Sequence, residues 1–209
     1  MALIIFDYDG VLADTLDDLI RFGQQACDQL GVRHVVTQND LSDLAVMSFP
    51  TFGRACEVPE PLVGQFVEIC LRLFEEQRFP PALFAGLGEV VRHLSTGHML
   101  AVVTTNTSKN VDAFLAYHGL AGLVHAVYGV DTPGSKAQKI SLARERLLTD
   151  PQAPVFMVGD SLSDMLAARE ASVTGVAVTW GHQRLENLLR GHPGHIAHTP
   201  HDLIAIVEG

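Results

Sequence analysis

The stretch Leu3-Ile4-Ile5-Phe6-Asp7-Tyr8-Asp9-Gly10-Val11 places four apolar residues directly before two carboxylates and a glycine. An apolar run of this length that ends at a turn signal predicts a buried strand. Asp7 and Asp9 then lie at its carboxyl end, where open α/β sheets bind their ligands. On a regular strand these two side chains share a face and repel each other unless a cation or a proton separates them. An acidic turn explains the glycine but not the acid pair, so we expect chemistry here.

The composition is that of an acidic globular protein. Of its 209 residues 47% are hydrophobic and 18% are charged, and the formal net charge is −10. A chain of this length can bury a full core and carry one accessory lobe. Its negative charge disfavours nucleic acid and anionic membranes as partners, and it would repel a phosphorylated substrate unless a local cation binds that substrate.

Features that mark secreted or membrane proteins do not occur in the sequence. The first residues lack the basic and apolar regions of a signal peptide, and no apolar stretch approaches the length of a membrane span. The three cysteines, Cys27, Cys56 and Cys70, favour small buried thiols in a reducing compartment over a disulfide framework. We therefore expect a cytoplasmic protein, either a monomer or a homodimer.

Beyond Pro81 the hydrophobic pattern alternates between helices and strands. Predicted helices at about 87–95, 110–118, 136–148 and 161–171 each precede a predicted strand, at 99–103, about 126–128, 155–158 and 175–178. Such alternation predicts an α/β fold with a Rossmann-like, doubly wound parallel sheet that includes the first strand.

The segment between the first strand and Pro81 has a different pattern. Its apolar residues recur at helical spacing, and the break Phe79-Pro80-Pro81 ends it. We predict an inserted helical lobe over residues 15–80, with residues 1–14 and 81–209 forming the catalytic core.

Two motifs with phosphate-binding character follow in the predicted core. Thr105 and Asn106 place a hydroxyl and an amide beyond a strand, where they can hold phosphate oxygens, although Thr107 or Ser108 could simply cap the next helix. In Gly134-Ser135-Lys136-Ala137 a lysine begins a helix, which is unfavourable for a cation unless an anion lies opposite it. We prefer Lys136 for this role, with Lys139 as the second choice.

The stretch Met157-Val158-Gly159-Asp160-Ser161-Leu162-Ser163-Asp164 repeats the pattern of the first strand. The strand ends at a glycine, an acid follows, and Asp164 returns to the same point from the first helical turn. Helix capping explains one of these acids but not both. Carboxylate oxygens of this kind suit Mg²⁺ better than Zn²⁺.

These four motifs together resemble the haloacid dehalogenase-like superfamily of aspartate-nucleophile phosphotransferases. Residues 7–14 match the family pattern Asp-x-Asp-Gly-x-x-x-Asp, Thr105-Asn106 and Lys136 match the second and third motifs, and Gly159-Asp160-Ser161-x-x-Asp164 matches the fourth. The inserted lobe is similar to the C1-type helical cap of phosphoglycolate phosphatase-like members.

The resemblance implies a role for each matched residue. Asp7 would be the nucleophile that forms an aspartyl phosphate, and Asp9 the general acid and base. The resemblance further implies that Mg²⁺ is held by the Asp7 carboxylate, the Asp9 backbone carbonyl and two later acids, and that several groups bind phosphate oxygens. The acids are Asp160 and Asp164, and the phosphate-binding residues are Gly10, Thr105, Asn106 and Lys136.

Individual residues of the chain discriminate among the activities of the superfamily. Asp9 disfavours dehalogenation, and the absence of any lysine before Lys109 disfavours phosphonatase chemistry. A phosphatase acting on a small phosphorylated metabolite is the favoured function. A β-phosphoglucomutase-like sugar phosphomutase stays open, since Val11 also occurs in mutase-like members, and a non-catalytic phosphoryl sensor or assembly protein is the third reading.

Substrate choice in capped members points to the lobe, here to the connection from Met47 to Arg54. Arg54, with Arg21, could pair with a second anionic group of the substrate, although solvated surface arginines are the commoner case. Hinges are expected near 13–15 and 79–82, where the chain crosses between lobe and core. A metal site at His192, His195, His198 and His201 is disfavoured because the intervening prolines and glycine break a helix.

Overall fold

The computed structural model describes residues 1–42, 44, 47–77 and 79–209. Two elements precede the helical segment, β1 (Leu3–Phe6) and β2 (Ala13–Asp14). The helical segment contains α1 (Leu16–Leu30), α2 (Asn39–Ser42), α3 (Phe49–Ala55), a 3-10 turn (Glu60–Leu62) and α4 (Val63–Glu75). The remaining elements are β3 (Ala82–Leu83), α5 (Leu87–Leu94), β4 (Met99–Val103), α6 (Ser108–Tyr117), β5 (Ala126–Tyr128), α7 (Lys136–Leu147), β6 (Val155–Gly159), α8 (Leu162–Glu170), β7 (Thr174–Val178), α9 (Leu185–Leu189), β8 (His195–Ala197) and α10 (Asp202–Glu208).

The main sheet has six parallel strands in the order β5-β4-β1-β6-β7-β8, which confirms the predicted doubly wound α/β fold. Strand β1 is central, and its last residue, Phe6, pairs with Val102 on one side and Val158 on the other. The three strands therefore end at the same edge of the sheet, and the residues that follow them meet there.

Both faces of the sheet are covered by helices, which is why the central strands β1, β4 and β6 carry no polar side chains. Alternate residues of β1 enter different cores: Ile4 and Phe6 pack with residues of α5, α6 and α10, whereas Leu3 and Ile5 pack with residues of α7 and α8. All four are fully buried. The buried strand anchors the polar residues that follow it.

Helices alone occupy the described part of the chain between β2 and β3. Their buried residues form a separate apolar cluster that includes Phe52, Phe66 and the three cysteines, which confirms that these thiols are buried. The assignment of residues 15–80 to a separate lobe stays a prediction.

The sequence did not reveal the short antiparallel ribbon formed by β2 and β3, in which Ala13 pairs with Leu83 and Asp14 with Ala82. Strands of two residues are too short to show any periodicity. The ribbon lies where the chain leaves the core for the helical segment and returns, at the positions of the predicted hinges. Among the described residues no helix is long and apolar enough to cross a membrane.

Candidate active site

The two acids that follow β1 point to different partners. Strand β1 ends at Phe6, and the chain turns at Gly10, whose φ is 75°. The expectation that Asp7 and Asp9 share the face of one regular strand is therefore wrong, because the regular strand stops before both. Asp7 joins a cluster of acids around a lysine, whereas Asp9 joins an amide, a hydroxyl and a histidine.

The acid cluster consists of Asp7, Asp160 and Asp164, from three places in the sequence. One carboxylate oxygen of each lies within 4.8 Å of the others, and all three residues are buried. Asp7 follows β1, Asp160 follows β6, and Asp164 lies in the first turn of α8. The parallel register of β1 and β6 brings these positions together, as the fourth motif predicted.

Lys136 joins two members of the cluster. Its Nζ lies 2.9 Å from Asp7 Oδ2 and 2.5 Å from Asp164 Oδ1. The lysine is the first residue of α7, where a capping box between Ser135 and Gln138 satisfies the helix N-terminus. Burial alone would lower the pKa of the Lys136 ammonium, but attraction by Asp164 and Asp7 outweighs it and raises the pKa above its ordinary value. The anion predicted opposite this lysine is thus the acid cluster itself.

The turn that carries Asp160 and Asp164 is fixed by its own hydrogen bonds. Asp164 Oδ2 accepts from the backbone N–H of Ser161 at 3.1 Å and from its hydroxyl at 2.6 Å, and Ser161 Oγ accepts in return from the Asp164 N–H. Ser161 is thus the N-cap of α8. One oxygen of Asp164 completes the capping box, and the other meets Lys136.

Two glycines leave room for the Asp160 carboxylate. A Cβ built on Gly10 would lie 2.0 Å from Asp160 Oδ2, and one built on Gly181 would lie 2.2 Å from Asp160 Cβ. The Asp160 carboxylate accepts from the backbone N–H of His182 at 2.7 Å. Gly10 thus serves close approach as well as the turn.

Burial dominates the titration of the clustered acids. Loss of hydration, together with the charges of Asp164 and Asp160, raises the pKa of Asp7 to about 8 against the opposing attraction of Lys136. Burial, followed by the charge of Asp164, raises the pKa of Asp160 to about 7. Three acids facing one lysine leave the site short of positive charge when all are ionised.

Asp9 lies in a different set of contacts. Asn106 Nδ2 donates to Asp9 Oδ2 at 3.3 Å. Thr15 Oγ1 lies 3.3 Å from Nε2 of the buried His182. Burial raises the pKa of Asp9, while the charge of His182 and the hydrogen bonds from Asn106 and Thr15 lower it. A carboxyl group with a raised pKa is suited to give and take a proton.

In the loop after β4, different residues cap the next helix and face the site. Thr105 is exposed, while Thr104 before it is buried and accepts from the Asn106 N–H through its hydroxyl at 3.0 Å. Asn106 Oδ1 accepts from the backbone N–H of Thr107 at 2.8 Å, which leaves its amide nitrogen directed at Asp9. Thr107 caps α6, so the capping alternative is also correct.

The loop after β7 contributes residues to the site that no sequence motif marks. Their one signal is the position of Trp180-Gly181-His182 directly beyond a strand. The Trp180 indole N–H donates to the carbonyl oxygen of Val11 at 3.2 Å. His182 contacts Asp160 and Thr15, and Gln183 reaches the first turn of α8. The tryptophan, histidine and glutamine of this loop form no spacing pattern that indicates a functional motif.

Three other candidates have partners of their own. Arg54 forms two hydrogen bonds with Glu60, at 2.9 and 2.6 Å, on an exposed surface, and Arg21 pairs with Asp18. Lys139 is buried and donates to the carbonyl oxygen of Gly129 at 2.6 Å. The structure therefore brings Lys136 to the acids and engages Lys139 in holding the loop after β5.

Of the C-terminal histidines, His195 lies in β8 and His201 directly precedes α10, whereas His192 and His198 lie in the loops on either side of β8. Among the described residues, the acids Asp7, Asp160 and Asp164 form the one group of three or more side chains suited to a metal. His201 lies instead 3.7 Å from Glu89, across an exposed ion pair.

Comparison with known proteins agrees with this geometry. The chain matches the family of haloacid dehalogenase-like hydrolases over residues 4–178, which include all four motifs. It is 28% identical over 208 residues to a phosphoglycolate phosphatase of Synechococcus elongatus, covering 99% of this chain and 97% of that protein. A phosphoglycolate phosphatase of Caulobacter vibrioides is 31% identical over 195 residues, which cover 87% of this chain and 80% of that protein.

A solved structure shows the same fold. A haloacid dehalogenase-like hydrolase from Streptococcus pneumoniae superimposes with a TM-score of 0.85 at 23% identity, and the match covers 99% of this chain and 98% of that one.

Proposed function

Because the chain belongs to the haloacid dehalogenase-like hydrolase family, we propose that it is a phosphatase that hydrolyses a small phosphomonoester through an aspartyl phosphate on Asp7. The observation that carries this proposal is the buried cluster of Asp7, Asp160 and Asp164 with Lys136 bonded between two of them. The two relatives described above are phosphoglycolate phosphatases, so phosphoglycolate is the first substrate to test.

In the proposed first step an Asp7 carboxylate oxygen attacks phosphorus, and the bond from phosphorus to the ester oxygen breaks. The Tyr8 N–H donates to Asp7 Oδ1 at 2.8 Å, and Lys136 contacts Oδ2, so the carboxylate is held in one orientation. Fixed orientation of the attacking group lowers the entropic part of the barrier.

Asp9 handles the protons of both steps. In the first step the protonated Asp9 gives its proton to the leaving alkoxide, and in the second the Asp9 carboxylate accepts a proton from the water that attacks the aspartyl phosphate. Burial favours the protonated form of Asp9, and the hydrogen bond from Asn106 favours the carboxylate, so both forms are accessible. The products are inorganic phosphate, the alcohol and regenerated Asp7.

The residues present fit a magnesium ion. Three buried carboxylates offer hard oxygen ligands within 4.8 Å of one another. Burial raises the pKa of Asp7 and Asp160, and an added positive charge would favour their ionised forms. We propose Asp7, Asp160, Asp164 and the Asp9 backbone carbonyl as the groups that hold Mg²⁺. When bound, Mg²⁺ would reduce the repulsion between Asp7 and the phosphate and orient both.

The phosphate oxygens would be bound by Thr105, Asn106, Lys136 and the backbone at Gly10. Thr105 is exposed in the loop that follows β4, the neighbour of β1, and the ammonium of Lys136 contacts Asp7 just beyond β1. Donors fixed before the reaction stabilise the charge that develops on the transferring group. Arg54 remains a candidate for a second anionic group of the substrate, although it must first release Glu60.

The helical segment would act as a cap over this site, of the C1 type proposed from the sequence. The ribbon of β2 and β3 provides two adjacent crossings about which residues 15–80 could move. Closure would exclude bulk water while the aspartyl phosphate forms, and opening would admit the substrate.

Phosphate release from a panel of small phosphomonoesters, with and without Mg²⁺, tests this function directly. We expect Mg²⁺-dependent turnover by the wild type and none by Asp7→Asn, which keeps the shape of the side chain. Turnover without Mg²⁺, or by Asp7→Asn at the wild-type rate, would contradict the proposal. Transfer to a second sugar hydroxyl instead of water would identify a phosphomutase.

A further inference from the structure

Beyond the acid cluster, the stretch after β7 makes three hydrogen bonds to the α2 segment, by which we mean residues 39–42 and 44. The bonds are from Gln183 Nε2 to the Leu44 carbonyl oxygen at 2.5 Å, from Asn187 Nδ2 to the Ser42 carbonyl oxygen at 2.9 Å, and from Arg184 Nη2 to Asn39 Oδ1 at 2.9 Å. In two of these bonds the acceptor is a backbone carbonyl oxygen, so the contact depends on the backbone path of the α2 segment more than on its side chains.

Gln183 also makes a bond into the core. Its Oε1 accepts from the backbone N–H of Leu162 at 2.9 Å, and the residue is 4% exposed. A backbone N–H requires an acceptor and a carbonyl requires a donor, so the two partners fix which way the Gln183 amide is oriented.

Leu162 is the first residue of α8, within the turn that presents both late acids of the site. Asp160 precedes it by two residues, and Asp164 follows it by two. The first backbone N–H groups of a helix have no partner within the helix. The capping box supplies partners at Ser161 and Asp164, and Gln183 supplies the partner at Leu162.

We infer that Gln183 is a positioning residue that joins the α2 segment to the Asp160–Asp164 turn. With the α2 segment in place, the Leu44 carbonyl holds the Gln183 amide so that its oxygen meets Leu162. If the α2 segment withdraws, the Gln183 amide nitrogen loses its acceptor at Leu44, and the amide is free to rotate away from Leu162. The buried Leu162 N–H is then left without an acceptor. Closure of the proposed cap and order of the acid turn therefore occur together.

Amide hydrogen exchange, measured on the metal-free protein by mass spectrometry, tests this coupling without requiring activity. Gln183→Met keeps the side-chain volume but removes both bonds, and we expect exchange to rise on the order of fivefold in the α2 segment and in residues 161–165. Arg184→Met is the matched control, because it removes the contact to Asn39 of the same segment but keeps the bond from Gln183 to the Leu44 carbonyl oxygen. Exchange should therefore rise in the α2 segment alone.

A second variant separates the two halves of the amide. Gln183→Glu, studied as the carboxylate, can accept from the Leu162 N–H but cannot donate to the Leu44 carbonyl. We expect residues 161–165 to stay protected and the α2 segment to exchange faster. Unchanged exchange of residues 161–165 in Gln183→Met would overturn the inference, and so would the same pattern in Gln183→Met and Arg184→Met.

The catalytic consequence rests on the proposed function and has its own measurement. For Gln183→Met we expect kcat to fall about tenfold, with KM changed less than about threefold, because the acids are less ordered while the phosphate-binding residues are intact. If the wild type releases no phosphate, the proposed function fails, and the exchange experiment still decides the role of Gln183.

Discussion

The acid cluster and the apolar cluster of the helical segment are both buried, yet they have opposite effects on folding. The acid cluster places Asp7, Asp160 and Asp164 around one lysine, and burial raises the pKa of two of these acids. The apolar cluster joins α1, α3 and α4 through rings such as Phe52 and Phe66, whose centroids are 5.6 Å apart in an edge-to-face arrangement.

This difference indicates which residues the chain needs in order to fold and which it needs in order to react. Buried rings gain free energy from leaving water and from edge-to-face contact. Buried carboxylates lose hydration and repel one another, so they weaken the fold in exchange for chemistry. Substitutions in the two clusters should therefore separate activity from stability.

The largest expected effect is on activity, from Asp7→Asn. We expect phosphate release to fall by about a thousandfold or more, since the amide is a poor nucleophile. Above pH 8, where Asp7 of the metal-free wild type is ionised, the metal-free variant should unfold at the same or a higher temperature than the wild type, because a buried charge is removed. Initial rates and thermal unfolding give both values, and a clear loss of stability would contradict the contrast between the clusters.

Phe66→Ala should show the reverse pattern. The side chain is fully buried, and its loss should lower the free energy of unfolding by about 3–5 kcal/mol. Leu71→Ala on the same helix is the control, because Leu71 is 44% exposed and should change stability by less than about 1 kcal/mol. Urea denaturation measures both, and equal effects would show that the apolar cluster is not the stabilising element.

Gly10→Ala should lower both stability and activity. The new methyl group would meet the Asp160 carboxylate at a positive φ of 75°, and we expect losses of about 2 kcal/mol in stability and of most activity. Gly31→Ala is matched in φ, at 71°, but its methyl group would meet nothing within 4 Å. Stability and activity measured for both variants separate the effect of backbone strain from that of displacing Asp160. An equal loss of activity in both would contradict the conclusion that Gly10 leaves room for the Asp160 carboxylate.

The pH dependence of stability should reveal the acid cluster in the metal-free protein. The pKa of Asp7 rises to about 8 and that of Asp160 to about 7, so the folded protein keeps protons that the unfolded chain has released. The free energy of unfolding should therefore decrease as pH rises from about 4 to 8, and Mg²⁺ should recover it at the upper end. Unfolding curves at pH 5 to 8 check this, with Asp160→Asn as a control that flattens the profile.

Arg54→Gln is expected to have the smallest effect. The guanidinium is exposed and already paired with Glu60, so a substrate anion would only replace one carboxylate by another. We expect KM for phosphoglycolate to change less than about threefold, with an unaltered unfolding temperature. A larger rise in KM, absent in Glu60→Gln, would assign Arg54 to substrate binding.

Much of the fold could be read from hydrophobic spacing. The predicted strands at 99–103 and 126–128 coincide with β4 and β5. The helix predicted at 110–118 begins two residues after the observed start of α6 at Ser108, because Thr107 caps this helix. Long apolar runs and helical periods are local signals, so sequence contains them. The ribbon of β2 and β3 has no such signal, since it exists only through pairing across about 70 residues of chain.

The sequence by itself determined the parallel α/β core and the acids and lysine of the site, because apolar runs that end in polar residues follow from local patterning. Only the tertiary structure decided that Asp7 joins Lys136 while Asp9 joins Asn106. It also decided that His182 contacts Asp160 and that Gln183 contacts Leu162. These contacts join residues about 20 to 130 positions apart. Their partners are chosen by the register of β1, β4, β6 and β7, a geometric relation that no single stretch of sequence contains.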